Sequence, residues 1–512
     1  MEIDKKYFWW SFGSGLLLYI ASFLGWSNPI LNYLLFAGAG GLIIYLLAQD
    51  FSWAIPLLIF ESILGSQGRL LFLNLDGFVF SLRYLLFILV IIFFIIHFIK
   101  NRLWKTFTPT YLPRSERKAF YYWGILPLFK GEGRKGLIYN LQNSFWLLGL
   151  IFIGWGILNA TLAGTPLKDI FFDANAYGFW LLWPIFYLYY NSKNYQQKTS
   201  GSIFTIAIAA IFVQTFATYL LFITQIVSEI QPFFYVWARD VRLAEMTKIG
   251  EYGVRIFWQS HIWAVMSLGL IGILLWLKKI NYYYWAALFL GLAMLSTILS
   301  FSRSFLLALG VSLIITLILS RFIFVPKHEW KQLTKTFSAS LAVCLLLLIG
   351  TMYLARQHFI TLDDLGESRW SNLTSEQASA SRVEELKPLW QQILAAPILG
   401  SGFGYKLTYQ SFDPRQNQKP YTTFSFEWGY LDMWLKMGLG FLLALFGFVY
   451  ATFKKYRQMY YEAILPDYGF LLLTFALTFL LLTHLTTPYL NHPLGLIILF
   501  WLASYRPSYS NE

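Results

Sequence analysis

The chain has 512 residues, 57% of them hydrophobic and 13% charged, with a formal net charge of +13. Its apolar runs are long enough to cross a hydrocarbon core of about 30 Å, which excludes a soluble fold, and their continuity, as from Ile203 to Ile223, excludes an alternating outer-membrane barrel. The positive charge would suggest nucleic acid in a soluble protein; here it is the excess of Lys and Arg in cytoplasmic loops, so no nucleic-acid partner is expected.

The N-terminus has a short charged start and an apolar run with no A-x-A-like cleavage site, and reads as a retained first helix. Hydropathy places spans near 7–25, 30–48, 80–99, 144–162, 175–191, 202–226, 256–277, 281–300, 304–324, 337–354, 428–453, 467–487 and 492–505. The run 52–64 has the length of an interfacial or re-entrant segment, so thirteen or fourteen membrane helices are expected. The expected class is an all-α polytopic integral membrane protein in four regions: helices and a basic loop over 1–142, a core bundle over 143–354, an extracytoplasmic loop over 355–427, and C-terminal helices over 428–512.

Orientation follows from the basic residues. The loop after Ile99 carries Lys100, Arg102, Lys105, Arg114, Arg117, Lys118, Lys130, Arg134 and Lys135 and is therefore cytoplasmic. Alternating spans then put Lys193 and Lys198, Lys278 and Lys279, Arg321 with Lys327, Lys331 and Lys335, and Lys454, Lys455 and Arg457 on the same side. Three segments fall outside: 228–255, the Ser302-Arg303-Ser304 junction, and about 355–426. Arginines there run against the positive-inside rule and are candidates for function, although a lone Arg at a span end also reads as a snorkelling anchor.

Within the long outer loop, residues 381–394 have apolar positions at Val383, Leu386, Leu389 or Trp390 and Ile393, which predicts an amphipathic helix ending before Pro397. The single Cys344 lies in an apolar run, leaving no disulfide framework and no thiolate metal site. No Gly-rich nucleotide loop is present, and the nearest acidic pair, Asp363-Asp364, reads as a solvated patch. No cofactor is expected.

The segment SRVEELKPLWQQILAAPILGSGFGYKL, followed by a polar gap and EWGYLDMWLKMGLG, resembles the shared core of the O-antigen polymerase and O-antigen ligase superfamily. The matching residues are Arg382, Trp390, Pro397, Gly400, Gly402, Tyr430, Leu431, Gly438 and Gly440, with Ser302-Arg303 and Arg255 resembling the family's outer arginines. One departure stands out. Ligases carry a His-Asn pair where this chain has Glu427-Trp428, and none of its six histidines follows the motif spacing.

The resemblance implies a GT-C-like bundle in the bacterial inner membrane and a metal-independent, inverting glycosyltransferase acting on its outer face. The donor and acceptor would be undecaprenyl-diphosphate-linked glycans, with a chain-length regulator and a flippase as further partners. Arg255, Arg303 and Arg382 would clamp the departing diphosphate, since a guanidinium fork suits phosphate oxygens. Glu427, at the position of the missing His, would be the catalytic base, although a carboxylate at a helix start is also favourable on electrostatic grounds alone. Arg242, Trp390, Gly400, Gly402, Tyr405 and Tyr430 would bind substrate, and Trp390, Tyr405, Tyr409 and Tyr421 could stack on sugar faces. The loss of the His favours a polysaccharide polymerase over a ligase. The alternative in a different class is a lipid-linked oligosaccharide flippase or exporter.

Overall fold

The computed structural model describes residues 4–75, 78–100, 134–191, 193–226, 231–249, 253–277, 283–322, 338–347, 349, 377–410 and 420–506. Most of the basic loop after Lys100, Lys278 and Lys279, Lys327 to Lys335, the acidic pair at 363–364, Arg415 and Lys419 lie outside them. Among the described residues, eight helices are long and apolar enough to cross a membrane and five more are apolar but shorter, thirteen in all. The remaining regular structure is helical apart from three two-stranded antiparallel hairpins. The chain is an all-α, multi-pass membrane protein.

The ambiguous run resolves into a short helix, Ala54–Leu64, of eleven residues. At 1.5 Å per residue it is about 16 Å long, half the depth of a hydrocarbon core. Nine of its residues are buried, so protein surrounds it on every side. The backbone that follows, from Gly65 to Leu71, is irregular and mostly buried, which a membrane protein tolerates only where neighbouring helices shield it. The expected span 175–191 starts as a 3-10 helix, Asn175–Leu182, and becomes α-helical at Trp183–Asn191, where Pro184 sits in the first turn.

The central element is the helix Gly429–Tyr461, packed along Arg134–Leu162. Glycines make this approach possible: a Cβ at Gly440 would lie 1.9 Å from the Phe152 ring, and one at Gly447 2.3 Å from Phe145. The rings of Trp180 and Trp183 close the interior against Phe448 and Phe500.

The central helix is broken at Gly438, whose φ of 76° and ψ of 178° lie in a region essentially confined to glycine. The loop after Pro397 fills the break. Leu439 N–H donates to Pro397 O at 3.0 Å, while Ser401 and Gly402 N–H groups donate to Leu435 O at 2.6 Å and Lys436 O at 3.0 Å. The carbonyls freed by the break are thus satisfied by the loop, as buried backbone requires.

The predicted amphipathic helix is present as Gln377–Ala395. Its buried face differs from expectation. Glu385, Leu389 and Ile393 are buried, one turn apart, whereas Val383 and Trp390 are 64% and 43% exposed. Leu389 and Ile393 join Phe426 and Leu435 in a small second core, so the helix caps the first turns of the central helix.

Candidate functional site

One end of the bundle encloses a cavity of about 410 Å³. Its lining comes from the irregular stretch after Leu64, the Phe78–Ser81 strand and the helix it leads into, the 3-10 turn at Asn175, the turn at Arg242, the segment 424–426, the first two turns of the central helix, and the 487–493 turn. Of these, Arg242 and the segment 424–426 belong to stretches that the basic-residue pattern is expected to place outside. The opposite end of the central helix carries Lys454, Lys455 and Arg457.

Four cations, Arg69, Arg83, Arg242 and Lys436, face two carboxylates, Asp173 and Asp432, across the lining. Arg83 is 4% exposed; its Nε donates to Glu61 Oε2 at 2.7 Å, and Nη1 and Nη2 have no hydrogen-bond partner among the described residues. Two buried guanidinium donors left open are costly unless a ligand takes them. The backbone wraps tightly round this side chain, since a Cβ at Gly68 would lie 2.9 Å from Arg83 Nε. Burial and then the neighbouring Arg242 push Arg69 below the ordinary guanidinium range.

Lys436 is buried between two carboxylates, its Nζ 2.5 Å from Asp173 Oδ1 and 2.6 Å from Asp432 Oδ1. Asp173 Oδ2 accepts from Gly404 N–H at 2.7 Å, which ties the glycine turn to the cluster, and Asp432 Oδ2 accepts from Asn491 Nδ2.

The structure distributes the residues picked from sequence over three places. Arg242, in a left-handed turn with φ of 50°, lines the cavity. Neither Arg255 nor Arg303 lines the cavity: Arg255 Nε donates to Ser300 O at 3.0 Å, and Ser304, next to Arg303, has its hydroxyl 3.0 Å from that of Thr487 in the cavity wall. Arg382 forms an ion pair with Glu427 in the capping helix, and both side chains are about half exposed. Neither Arg382 nor Glu427 lines the cavity, although Phe424, Ser425 and Phe426 immediately before Glu427 do.

The others hold the fold around the site. Gly400 and Gly402, with φ of 70° and 88°, make the turn that fills the helix break, and a Cβ on either would come 2.6 Å from a backbone nitrogen, of Gly438 and Ala160 respectively. Tyr405 packs on the second core, Trp390 stands edge-on to Trp434 at 5.8 Å, and Tyr430 donates to Leu481 O at 3.0 Å while its ring meets His484. Tyr409 and Tyr421 face each other across the Leu407–Gln410 and Pro420–Thr423 hairpin.

Beside Glu427 lies a second carboxyl. Glu385 is 2% exposed and its Oε1 accepts the Glu427 N–H at 2.9 Å. Burial, with the charges of Glu427 and Asp432 adding, raises it from 4.5 to about 8, against the Glu427 N–H and Arg382. The fold therefore holds this proton more tightly than the unfolded chain does. Its stabilisation is full below about pH 4.5 and is lost as pH rises to about 8. Glu385→Gln should flatten that slope, which thermal unfolding of the two purified proteins across this window measures directly. An unchanged slope would place the titration elsewhere.

Sequence reading missed Arg69, Arg83, Glu61, Asp173, Asp432 and Lys436. A signal was present for three of them, because Glu61 stands inside an apolar run and Asp432 and Lys436 lie one turn apart in another.

Comparison with known proteins adds one finding. Residues 285–448 match the family described as O-antigen ligase, and no curated protein or solved structure matches the chain. That region, about a third of the chain, is similar to the family, and the similarity supports the O-antigen ligase and polymerase superfamily. The matched region supplies Phe424 to Phe426, Asp432 and Lys436 to the cavity, while Arg69, Arg83, Asp173 and Arg242 come from outside the match.

Proposed function

We propose that the chain is a polysaccharide polymerase of the inner membrane, joining undecaprenyl-diphosphate-linked glycans on the outer face of the bilayer. The observation that carries this reading is the cationic lining of the cavity, where Arg69, Arg83, Arg242 and Lys436 gather at one site. A lipid diphosphate is the leaving group such a lining suits. Its charge grows as the glycosidic bond breaks, and preorganised donors in a dry site stabilise that charge more than water does. Displacement from the opposite face inverts the anomeric centre. Arg255 and Arg303 lie outside the lining and would support it through the Ser300 to Ser304 turn, and Arg382 and Glu427 order the loop beside it.

A ligase that moves the glycan to lipid A or another carrier is the second reading, supported by the description of the matched family. Weighing against it, the two histidines nearest the site are engaged: His484 Nδ1 accepts from Leu490 N–H and His492 Nδ1 from Leu494 N–H. A chain-length regulator and a flippase are the protein partners this activity would require.

Purified protein in liposomes with undecaprenyl-diphosphate oligosaccharide should give a ladder of longer lipid-linked products. Transfer only to a different acceptor would replace polymerase by ligase. Movement across the bilayer with no change in glycan size would sink both enzyme readings and leave an exporter.

A further inference from the structure

The capping helix Gln377–Ala395 carries two apolar stripes. Leu389 and Ile393 face the second core. Val383, Trp390 and Leu394, at positions i, i+7 and i+11, lie about a third of a turn further round and are all exposed. Glu384 and Gln391, also exposed, take the remaining face and suit water. Apolar side chains gathered on one face beside a polar one mark a contact with apolar surroundings.

The second stripe runs on into the lipid-facing side of the bundle. Ile398 and Leu399 follow it and are exposed, and the Leu439 N–H donates to Pro397 O at 3.0 Å, so this turn lies against the central span. From there Leu439, Leu443, Phe446 and Tyr450 are exposed at helical spacing along that span. Two indoles are fastened to the same turn: Trp155 Nε1 donates to Leu399 O at 2.9 Å, and Trp434 Nε1 to Pro397 O at 2.7 Å. Tryptophan, with its apolar body and single N–H, is enriched where a bilayer meets water.

Length puts the edge of the hydrocarbon at the same level. At its far end the central helix reaches Lys454, Lys455 and Arg457. Counting back from Lys454 at 1.5 Å per residue, a core of about 30 Å takes about twenty residues and ends near Trp434. Trp434 is the residue whose ring Trp390 meets edge-on at 5.8 Å. The C-terminal half of the capping helix therefore sits at the boundary of the apolar layer.

We propose that the capping helix is an interfacial helix, with Val383, Trp390 and Leu394 seated among the lipids of the leaflet at the cavity's end of the bundle. Ile398 and Leu399 continue the contact. Lys387, exposed at the border between the stripe and the polar face, reaches lipid phosphates while its stem stays on the apolar side. Lipid and the second core then grip the helix from two sides, and its place over the first turns of the central helix is set in part by the bilayer.

The test uses full-length protein in liposomes of phosphatidylcholine and phosphatidylglycerol. Cys344 is the single cysteine, so Cys344→Ala gives a background for one nitroxide label at a time, on Val383→Cys, Leu394→Cys, Glu384→Cys or Gln391→Cys, with Leu443→Cys marking full lipid contact. Collisions with oxygen, which partitions into lipid, are compared with collisions with a water-soluble nickel complex. The oxygen-to-nickel ratio at 383 and 394 should be several-fold above that at 384 and 391 and approach that at 443. Should Cys344→Ala fail to fold, the same labels go on the wild-type background, where Cys344 is buried. Equal ratios on the two faces overturn the proposal, because the stripe would then face water. Labels at 383 and 394 shielded from both reagents also overturn it, because protein, from this chain or a second copy, would then cover the stripe.

Discussion

Arg83→Ala should abolish transfer, with a loss of about a thousandfold in kcat/KM, and Arg83→Lys should recover little of it. Removing one preorganised donor to a developing charge costs up to about this factor, and Arg83 is one of the cations of the lining. Lysine can restore the pair with Glu61 but cannot hold that bond and offer a planar fork to a diphosphate at the same time. The single substitution also strands Glu61, which is 6% exposed, and an uncompensated buried charge costs about 3–5 kcal/mol. Arg83→Met with Glu61→Gln is therefore the decisive variant, because it removes the pair as a unit. It should fold, fail to bind undecaprenyl diphosphate, and fail to turn over. Binding at the wild-type level in that double variant would show that Arg83 serves only to hold the short helix.

The second large effect is on stability. Lys436→Met leaves Asp173 and Asp432 facing each other in a buried site, and should destabilise the folded protein by about 3–5 kcal/mol. Neutralising the whole cluster, with Lys436→Met, Asp173→Asn and Asp432→Asn together, should recover most of the loss, because replacing a buried ion set by neutral groups is often close to free. Thermal aggregation of the detergent-solubilised proteins gives the order: wild type, triple variant, single variant. A single variant as stable as wild type would mean that the packing around Gly438, rather than the ions, holds the two segments together.

The fold was largely legible in the sequence and the cavity was not. Long apolar runs bounded by Lys and Arg locate spans because the bilayer imposes one length and one charge asymmetry, and the capping helix showed through its spacing of Leu389 and Ile393. Its true face also contains Glu385, a residue type that periodicity scores as polar. Pairings across the chain leave no local trace. Glu61 and Arg83 are 22 residues apart, Lys436 and Asp173 are 263 apart, and nothing near either partner announces the other. What did show locally, apart from Arg242, are residues outside the lining: Arg255, Arg303, Arg382 and Glu427. Of the cavity residues, Arg83, Asp432 and Lys436 were hidden within runs that read as membrane spans.

The broken helix has a consequence for anyone who recombines this protein with a relative. The carbonyls of Leu435 and Lys436 and the N–H of Leu439 are bonded to the backbone of residues 397–402, so neither segment has its complement of hydrogen bonds without the other. They behave as a lock and its key cut from one chain. A chimaera that takes the glycine turn from one parent and the helix from another inherits a mismatch in the backbone itself, and crossover points belong before Pro397 or after Gly440, never between.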